Sequence, residues 1–216
     1  KKEKISVLTY KKAFAPPTPE DLRSLLLKSG SLKKNSSIEE MLELETLKLV
    51  DVSNDDLYLL TLLSGLKKLS ISGKEVSDLS PLIELTKLEN LSLSHTEVSD
   101  LSIIAELLEL KSLSLSHVPV SDLSPLAQLP WLSRLSLYDT EVSDLSPLME
   151  LPELSSLAIR SNLMSDLSVL TELPRLDYLS LSAAQLNDFN THAEFSRLKY
   201  LSLSGTQNVS GDALVK

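Results

Sequence analysis

His95, His117 and Asp139 follow one another at intervals of 22 residues. Two imidazoles and a carboxylate are acceptable zinc ligands in chemical type. The same imidazoles change charge near neutral pH and could make a pH-sensitive contact. Equal spacing does not by itself bring three side chains to one point, so ordinary surface is a third reading and no metal is assigned. Larger side chains gather a little later, at Arg134, Tyr138, Arg160, Tyr178 and Tyr200. Tyrosine and arginine are enriched at protein-binding hot spots. These five, with His95, His117 and Asp139 beside them, form the candidate partner-binding set.

Covalent catalysis finds little support. Serine is so plentiful that one close to His95 or His117 is expected without any chemical role. There is no Gly-x-Ser-x-Gly turn to present an activated serine. There is no Gly-x-x-x-x-Gly-Lys phosphate loop, and 5 glycines leave little material for one. No catalytic residue and no cofactor is assigned. The absence of cysteine excludes disulfides and thiolate metal sites but does not fix the compartment. No run of the roughly 18 apolar residues needed for a membrane-spanning helix is present.

The formal net charge of −9 is unevenly spread. Residues 1–34 carry nine Lys/Arg against three Asp/Glu, and residues 35–216 carry twelve against twenty-seven. So acidic a body repels phosphate backbones, which argues against nucleic-acid binding. The basic N-terminal segment is short and interrupted, and reads as a solvated leader.

The elements that must position these side chains emerge when the sequence is laid out in rows of 22. Every row then begins with leucine: Leu44, Leu66, Leu88, Leu110, Leu132, Leu154, Leu176 and Leu198. The fourth place is leucine throughout, the sixth is leucine or isoleucine, and a third tier holds Val76, Val98, Val120, Val142, Met164 and Leu186. A Leu-x-Leu pair such as Leu113-Ser114-Leu115 alternates with period two, which makes it a short strand with its leucines inward. Successive rows stack these strands as a parallel sheet. Each row returns through text such as Asp-Leu-Ser-Pro-Leu at residues 78–82, 122–126 and 144–148. Serine there can cap a short helical turn, and proline suits its first position. Wider return segments bend the stack, so the sheet lines the concave side. The recurring Asp78, Asp100, Asp122, Asp144, Asp166 and Asp188 read as turn-formers before calcium ligands.

The run Val-Ser-Asp-Leu-Ser-Pro-Leu followed by Leu-x-x-Leu-x-x-Leu-x-Leu resembles the 22-residue class of leucine-rich repeats found in bacterial internalins, over roughly residues 44–210. The resemblance implies an α/β solenoid, a horseshoe with a parallel concave β-sheet and short 3-10 or irregular return segments. It also implies a protein partner held on the concave face, by what is often one segment of a larger secreted or surface bacterial protein. One column departs from the pattern. Where such repeats stack buried asparagines, this chain has Lys74, Thr96, Val118, Thr140, Asn162, Ala184 and Thr206. Threonine can still bond neighbouring backbone groups there, which valine and alanine cannot do.

The domain reading is a leader and linker over 1–17, an N-terminal helical cap over 18–43, and eight repeats over 44–216 with the last incomplete. A strand is expected at Ile5–Tyr10 and a linker at Ala15-Pro16-Pro17. In the cap, Thr18 and Pro19 open a helix that runs to about residue 28. Ser37, with Glu39 and Glu40 after it, opens a second one running to about Leu44. At the other end, row eight stops without a polar cap, so either the polypeptide continues or its last residues begin a helix. His192 falls where earlier rows bury leucine, and a shifted turn near Asn190 is expected there. The sites Asn35, Asn90 and Asn208 fit a glycosylation pattern, but a glycan at Asn90 would obstruct the inner face. Trp131 reads as an exposed anchor or as packing on a neighbouring return segment.

On the sheet, the central outward column reads Lys48, Ser70, Ser92, Ser114, Ser136, Ala158, Ser180, Ser202, a low floor between two more varied columns. The leading expectation is a scaffold that binds a protein on this face, secreted or at the cell surface, with a cytoplasmic setting possible. The alternative is a substrate-recruiting domain of an enzyme (an effector) whose catalytic domain lies elsewhere. Oligomeric state is not set by these residues.

Overall fold

The computed structural model describes residues 16–161, 163, 167–182 and 198–204. Expectations for Ile5–Tyr10, Asn162, Met164, Asp166, Ala184, Leu186, Asp188, Asn190, His192, Thr206, Asn208 and the end of row eight lie outside them.

Each Leu-x-Leu segment is a five-residue strand: β1 (Thr46–Val50), β2 (Lys68–Ser72), β3 (Asn90–Ser94), β4 (Ser112–Ser116), β5 (Arg134–Tyr138), β6 (Ser156–Arg160), β7 (Tyr178–Ser182) and β8 (Tyr200–Ser204). They form one open parallel sheet in sequence order. Every residue pairs with the one 22 places on, from Leu47 opposite Leu69 to Leu181 opposite Leu203. That register is enforced by burial. A slip of one residue would turn Leu113 and Leu115, now inside, out to water and put serines in the core. The first leucines of rows two to eight, Leu66 to Leu198, and the tier Val76, Val98, Val120 and Val142 fill the interior behind the sheet.

The return segments are short. 3-10 turns span Ser80–Glu84, Ile104–Glu106, Ser124–Gln128 and Ser146–Glu150. The first row instead uses a helix α3 (Asn54–Tyr58) followed by a 3-10 turn Leu59–Leu62, and row six uses α4 (Val169–Glu172). Aspartate, rather than serine, starts each 3-10 return. The backbone N–H of Ser80, Ser102, Ser124 and Ser146 donates to Asp78, Asp100, Asp122 and Asp144 respectively, each at 2.8 Å. The serine hydroxyl therefore does not cap. It donates instead to the same aspartate, as Ser80 does to Asp78 at 2.9 Å and Ser102 to Asp100 at 2.6 Å. Hydrogen bonds from the Ser124 hydroxyl and N–H hold the Asp122 carboxyl below its usual range, and the Ser146 N–H and hydroxyl do the same for Asp144. These aspartates are turn-formers in all four rows described.

In the departing column the capacity of threonine to bond backbone goes unused. Thr96 and Thr140 are buried, 2 % and 5 % exposed, and among the described residues neither Oγ1 has a hydrogen-bond partner. Val52 and Val118 fill the same place in their rows with no polar atom to satisfy. A buried hydroxyl without a partner carries its full desolvation cost, whereas valine has nearly the same shape. Replacing Thr96 and Thr140 together by valine is expected to stabilise the fold by about 1–2 kcal/mol. Urea unfolding would show this as a higher midpoint at unchanged slope. A lower midpoint would mean that the hydroxyls have partners after all.

Two helices precede the first row: α1 (Pro19–Lys28) and α2 (Ile38–Leu42). Each opens on a capping box, Thr18 with Asp21 and Ser37 with Glu40. The second ends two residues before Leu44, with Glu43 as its C-cap. α1 buries Leu22, Leu25 and Leu26, and α2 buries Met41. The Arg23 guanidinium locks the connection, donating at 2.7 Å to both the Lys34 and Ser36 carbonyls. Gly30 takes the left-handed conformation after α1, with φ 71°.

Candidate partner-binding face

The sheet's exposed face is built from three columns in strict register. One flank runs Thr46, Lys68, Asn90, Ser112, Arg134, Ser156, Tyr178, Tyr200, and the other runs Val50, Ser72, Ser94, Ser116, Tyr138, Arg160, Ser182, Ser204. Parallel pairing fixes each side chain within about 4.8 Å of its column neighbours at the backbone. Asn90 lies on this face between Lys68 and Ser112.

The candidate residues resolve into two groups and one separate side chain. Tyr178 and Tyr200 stack with ring centroids 4.5 Å apart and planes 5° from parallel. They are 37 % and 49 % exposed, so each ring keeps a broad surface open to solvent. On the opposite flank the Arg160 guanidinium lies 5.8 Å from the centre of the Tyr138 ring and pairs with Asp139. His117 Nε2 lies 3.3 Å from the Asp139 carboxylate, and the His117 ring stacks on His95 at 4.3 Å between centroids. His95, His117, Asp139, Arg160 and Tyr138 are thus one continuous line along a rim. Arg134 stands exposed in the other flank, with no ion pair among the described residues.

The rim residues owe their identity to the backbone as much as to chemistry. Asp51, His95, His117 and Asp139 follow their strands with φ between 51° and 53°. Aspartate and histidine are among the few non-glycine residues that tolerate this region. In rows three to five the bent residue keeps its ladder bond: the N–H groups of His95, His117 and Asp139 donate to Ser116, Tyr138 and Arg160 carbonyls at 2.8–2.9 Å. Stacking lays the imidazoles face to face instead of aiming them at a common point. Among the described residues no group of three His, Asp or Glu is arranged to hold a metal.

Row two breaks this pattern. Where its neighbours bury Val52 and Thr96, it would have to bury Lys74, and an unpaired ammonium inside is costly. Lys74 turns outward and Gly73 takes the inward place, without positive φ. A Cβ on Gly73 would lie 2.3 Å from the Val52 carbonyl oxygen, so only glycine fits. An open cleft of about 670 Å³ lies beside this bend, lined in part by Lys28, Asp51, Asp56, Lys74, Glu75 and His95. Its mixed charges single out no ligand class.

The other rim carries alternating ion pairs. Lys67 pairs with Glu45, Lys111 with Glu89 at 3.2 Å, and Lys199 with Asp177 at 3.0 Å, each one row apart. Glu45, by hydrogen bond and charge, raises the Lys67 pKa, and Glu89 on its other side adds to the effect. Trp131 near this rim is 53 % exposed, which favours its reading as an exposed side chain.

One strand per 22-residue row, in an open parallel sheet backed by 3-10 turns, is the leucine-rich-repeat solenoid. Folds of this class serve in general as scaffolds for binding partners along an extended surface. Solved structures carry the same architecture. An internalin (inlF) of Listeria monocytogenes is 22 % identical, with 90 % of this chain and 77 % of that one covered and a TM-score of 0.59. Internalin C2 of the same organism is 24 % identical, with 88 % and 98 % covered and a TM-score of 0.57. A leucine-rich-repeat protein of Leptospira interrogans is 20 % identical, with 89 % and 59 % covered and a TM-score of 0.60. At these identities the likeness is one of fold. No family model matches the sequence, and no curated protein matches it either.

Proposed function

We propose that this chain recognises a protein partner through the exposed face of its sheet, with the later rows as the contact region. The observation that carries the reading is the exposed, stacked Tyr178–Tyr200 pair, held on a hydrogen-bonded sheet opposite the Tyr138–Arg160 contact. Rings already packed against each other lose little rotamer freedom on binding, which favours affinity. Residues 18–43 act as the cap of this scaffold, residues 44–216 as its repeats. The chain itself performs no chemistry in this reading. Its likeness in fold to Listeria and Leptospira proteins supports a bacterial surface or secreted setting. No helix among the described residues is long and apolar enough to cross a membrane.

The test is a variant with Arg134, Tyr138, Arg160 and Tyr178 all changed to alanine. Pull-downs from candidate host and bacterial lysates with the intact chain and with this variant should differ. Affinity for the captured protein is expected to fall at least about tenfold, since such side chains carry most of an interface's binding energy. Equal capture by both proteins would remove the later rows as the contact region.

A further inference from the structure

The chain carries 30 Asp and Glu against 21 Lys and Arg, yet its sheet face reverses that balance. None of the outward-facing residues of β1–β8 is acidic, whereas Lys48, Lys68, Arg134 and Arg160 all project from it and are exposed. Most of the acids flanking the strands are already engaged, Glu45 with Lys67, Glu89 with Lys111, Asp177 with Lys199 and Asp139 with Arg160, while Asp51 at the end of β1 has no ion pair among the described residues. Among the described residues no carboxylate pairs with Lys48, Lys68 or Arg134. Between them the face holds Asn90 and serines, small groups that let a ligand approach the backbone plane.

From this we infer that the occupant of the sheet face is an acidic, extended segment of a partner protein, lying across the strands. The inference rests on the reading of this face as the binding surface and adds the chemistry of what it binds. Lys68 and Arg134 stand three rows apart in one column, about 14 Å at the strand spacing, which about four residues of extended chain would span. Carboxylates that far apart would meet both cations, and a backbone between them would meet the serine floor. The tyrosine pair lies two rows beyond Arg134 and would receive an apolar or aromatic residue further along the same segment. A polyanion of nucleic-acid type fits less well. The cations are few and widely spaced against roughly one charge per 1.7 Å on duplex DNA, and the acidic body around them repels phosphate.

Fluorescence anisotropy on the full chain tests this with three probes: a labelled peptide alternating glutamate and glycine and ending in tyrosine, its glutamine counterpart, and a short oligothymidylate. The acidic peptide is expected to bind about tenfold more tightly than the glutamine one, and more weakly as salt rises. Lys68→Glu with Arg134→Glu is expected to abolish that preference, while Lys111→Glu on the paired rim leaves it in place. Both sheet-face positions are exposed, and thermal melts would confirm folding. Equal binding of the two peptides, lost on Tyr178→Ala with Tyr200→Ala, would overturn the acidic occupant and leave the face itself as a binding surface. Acidic-peptide binding indifferent to both sets of changes would overturn occupant and face together. Oligothymidylate bound as tightly as the acidic peptide, or no binding of that peptide, would overturn the inference.

Discussion

Gly73→Ala is expected to destabilise the fold by about 3 kcal/mol, more than a surface bend would ordinarily cost. The added methyl would sit 2.3 Å from the Val52 carbonyl oxygen and 2.9 Å from its nitrogen, and backbone atoms cannot move aside as a flexible side chain can. Relief would need the bend to swing out, which would drive Lys74 toward the interior or part β1 from β2. Urea unfolding of the variant should show a lowered midpoint, and hydrogen exchange should show the loss of protection centred on rows one and two. Lys74→Thr in the same background should recover part of the stability, because the normal inward residue would then be restored. A Gly73→Ala protein as stable as the parent would mean that the inward bend is not how Lys74 is accommodated.

Leu137→Ala is expected to cost about 3–4 kcal/mol. The side chain is fully buried in β5, with Leu115 and Ile159 beside it in the neighbouring strands. In a globular core such a loss would be shared in three dimensions. Here each row touches only the rows before and after it, so weakening one row uncouples the two sides. Denaturation is expected to broaden, with a reduced apparent slope, as the rows before and after β5 begin to unfold separately. A sharp transition that merely shifts would indicate stronger coupling along the stack than nearest-neighbour contacts supply.

Much of the fold was legible because the repeat makes the same statement many times. The register, the inward leucines and the outward columns follow from the period and from strand alternation. The capping boxes at Thr18 and Ser37 were legible for the same reason, local chemistry at fixed spacing. What escaped were details decided by three-dimensional competition. Threonine can in principle bond the backbone, but whether Thr96 and Thr140 reach a partner depends on where their neighbours' carbonyls point. The Gly73-Lys74 step was visible as an exception among His-Thr, His-Val and Asp-Thr, and a charged residue in a buried column was the available signal. The left-handed backbone at His95, His117 and Asp139 could likewise have been read from residue type, since histidine and aspartate share that tolerance. At the candidate face, the sequence supplied the columns but not the pairings. Arg160 ties to Asp139, whereas Arg134 has no ion pair among the described residues.

The ion pairs on the second rim bear on how such a molecule keeps count of itself. β3 and β4 read Asn-Leu-Ser-Leu-Ser and Ser-Leu-Ser-Leu-Ser, and β7 and β8 are identical in sequence, so the hydrophobic pattern alone does not tell one row from the next. The rim does. Glu45, Lys67, Glu89 and Lys111 alternate in sign, so a folding chain that looped out one row would set Glu45 against Glu89 or Lys67 against Lys111. Such encounters carry a penalty that correct stacking avoids. The same arithmetic governs enlargement: splicing one extra copy of an early row into the stack puts like charges side by side, while splicing in two preserves the alternation. A longer version of this scaffold is therefore best built in pairs of rows.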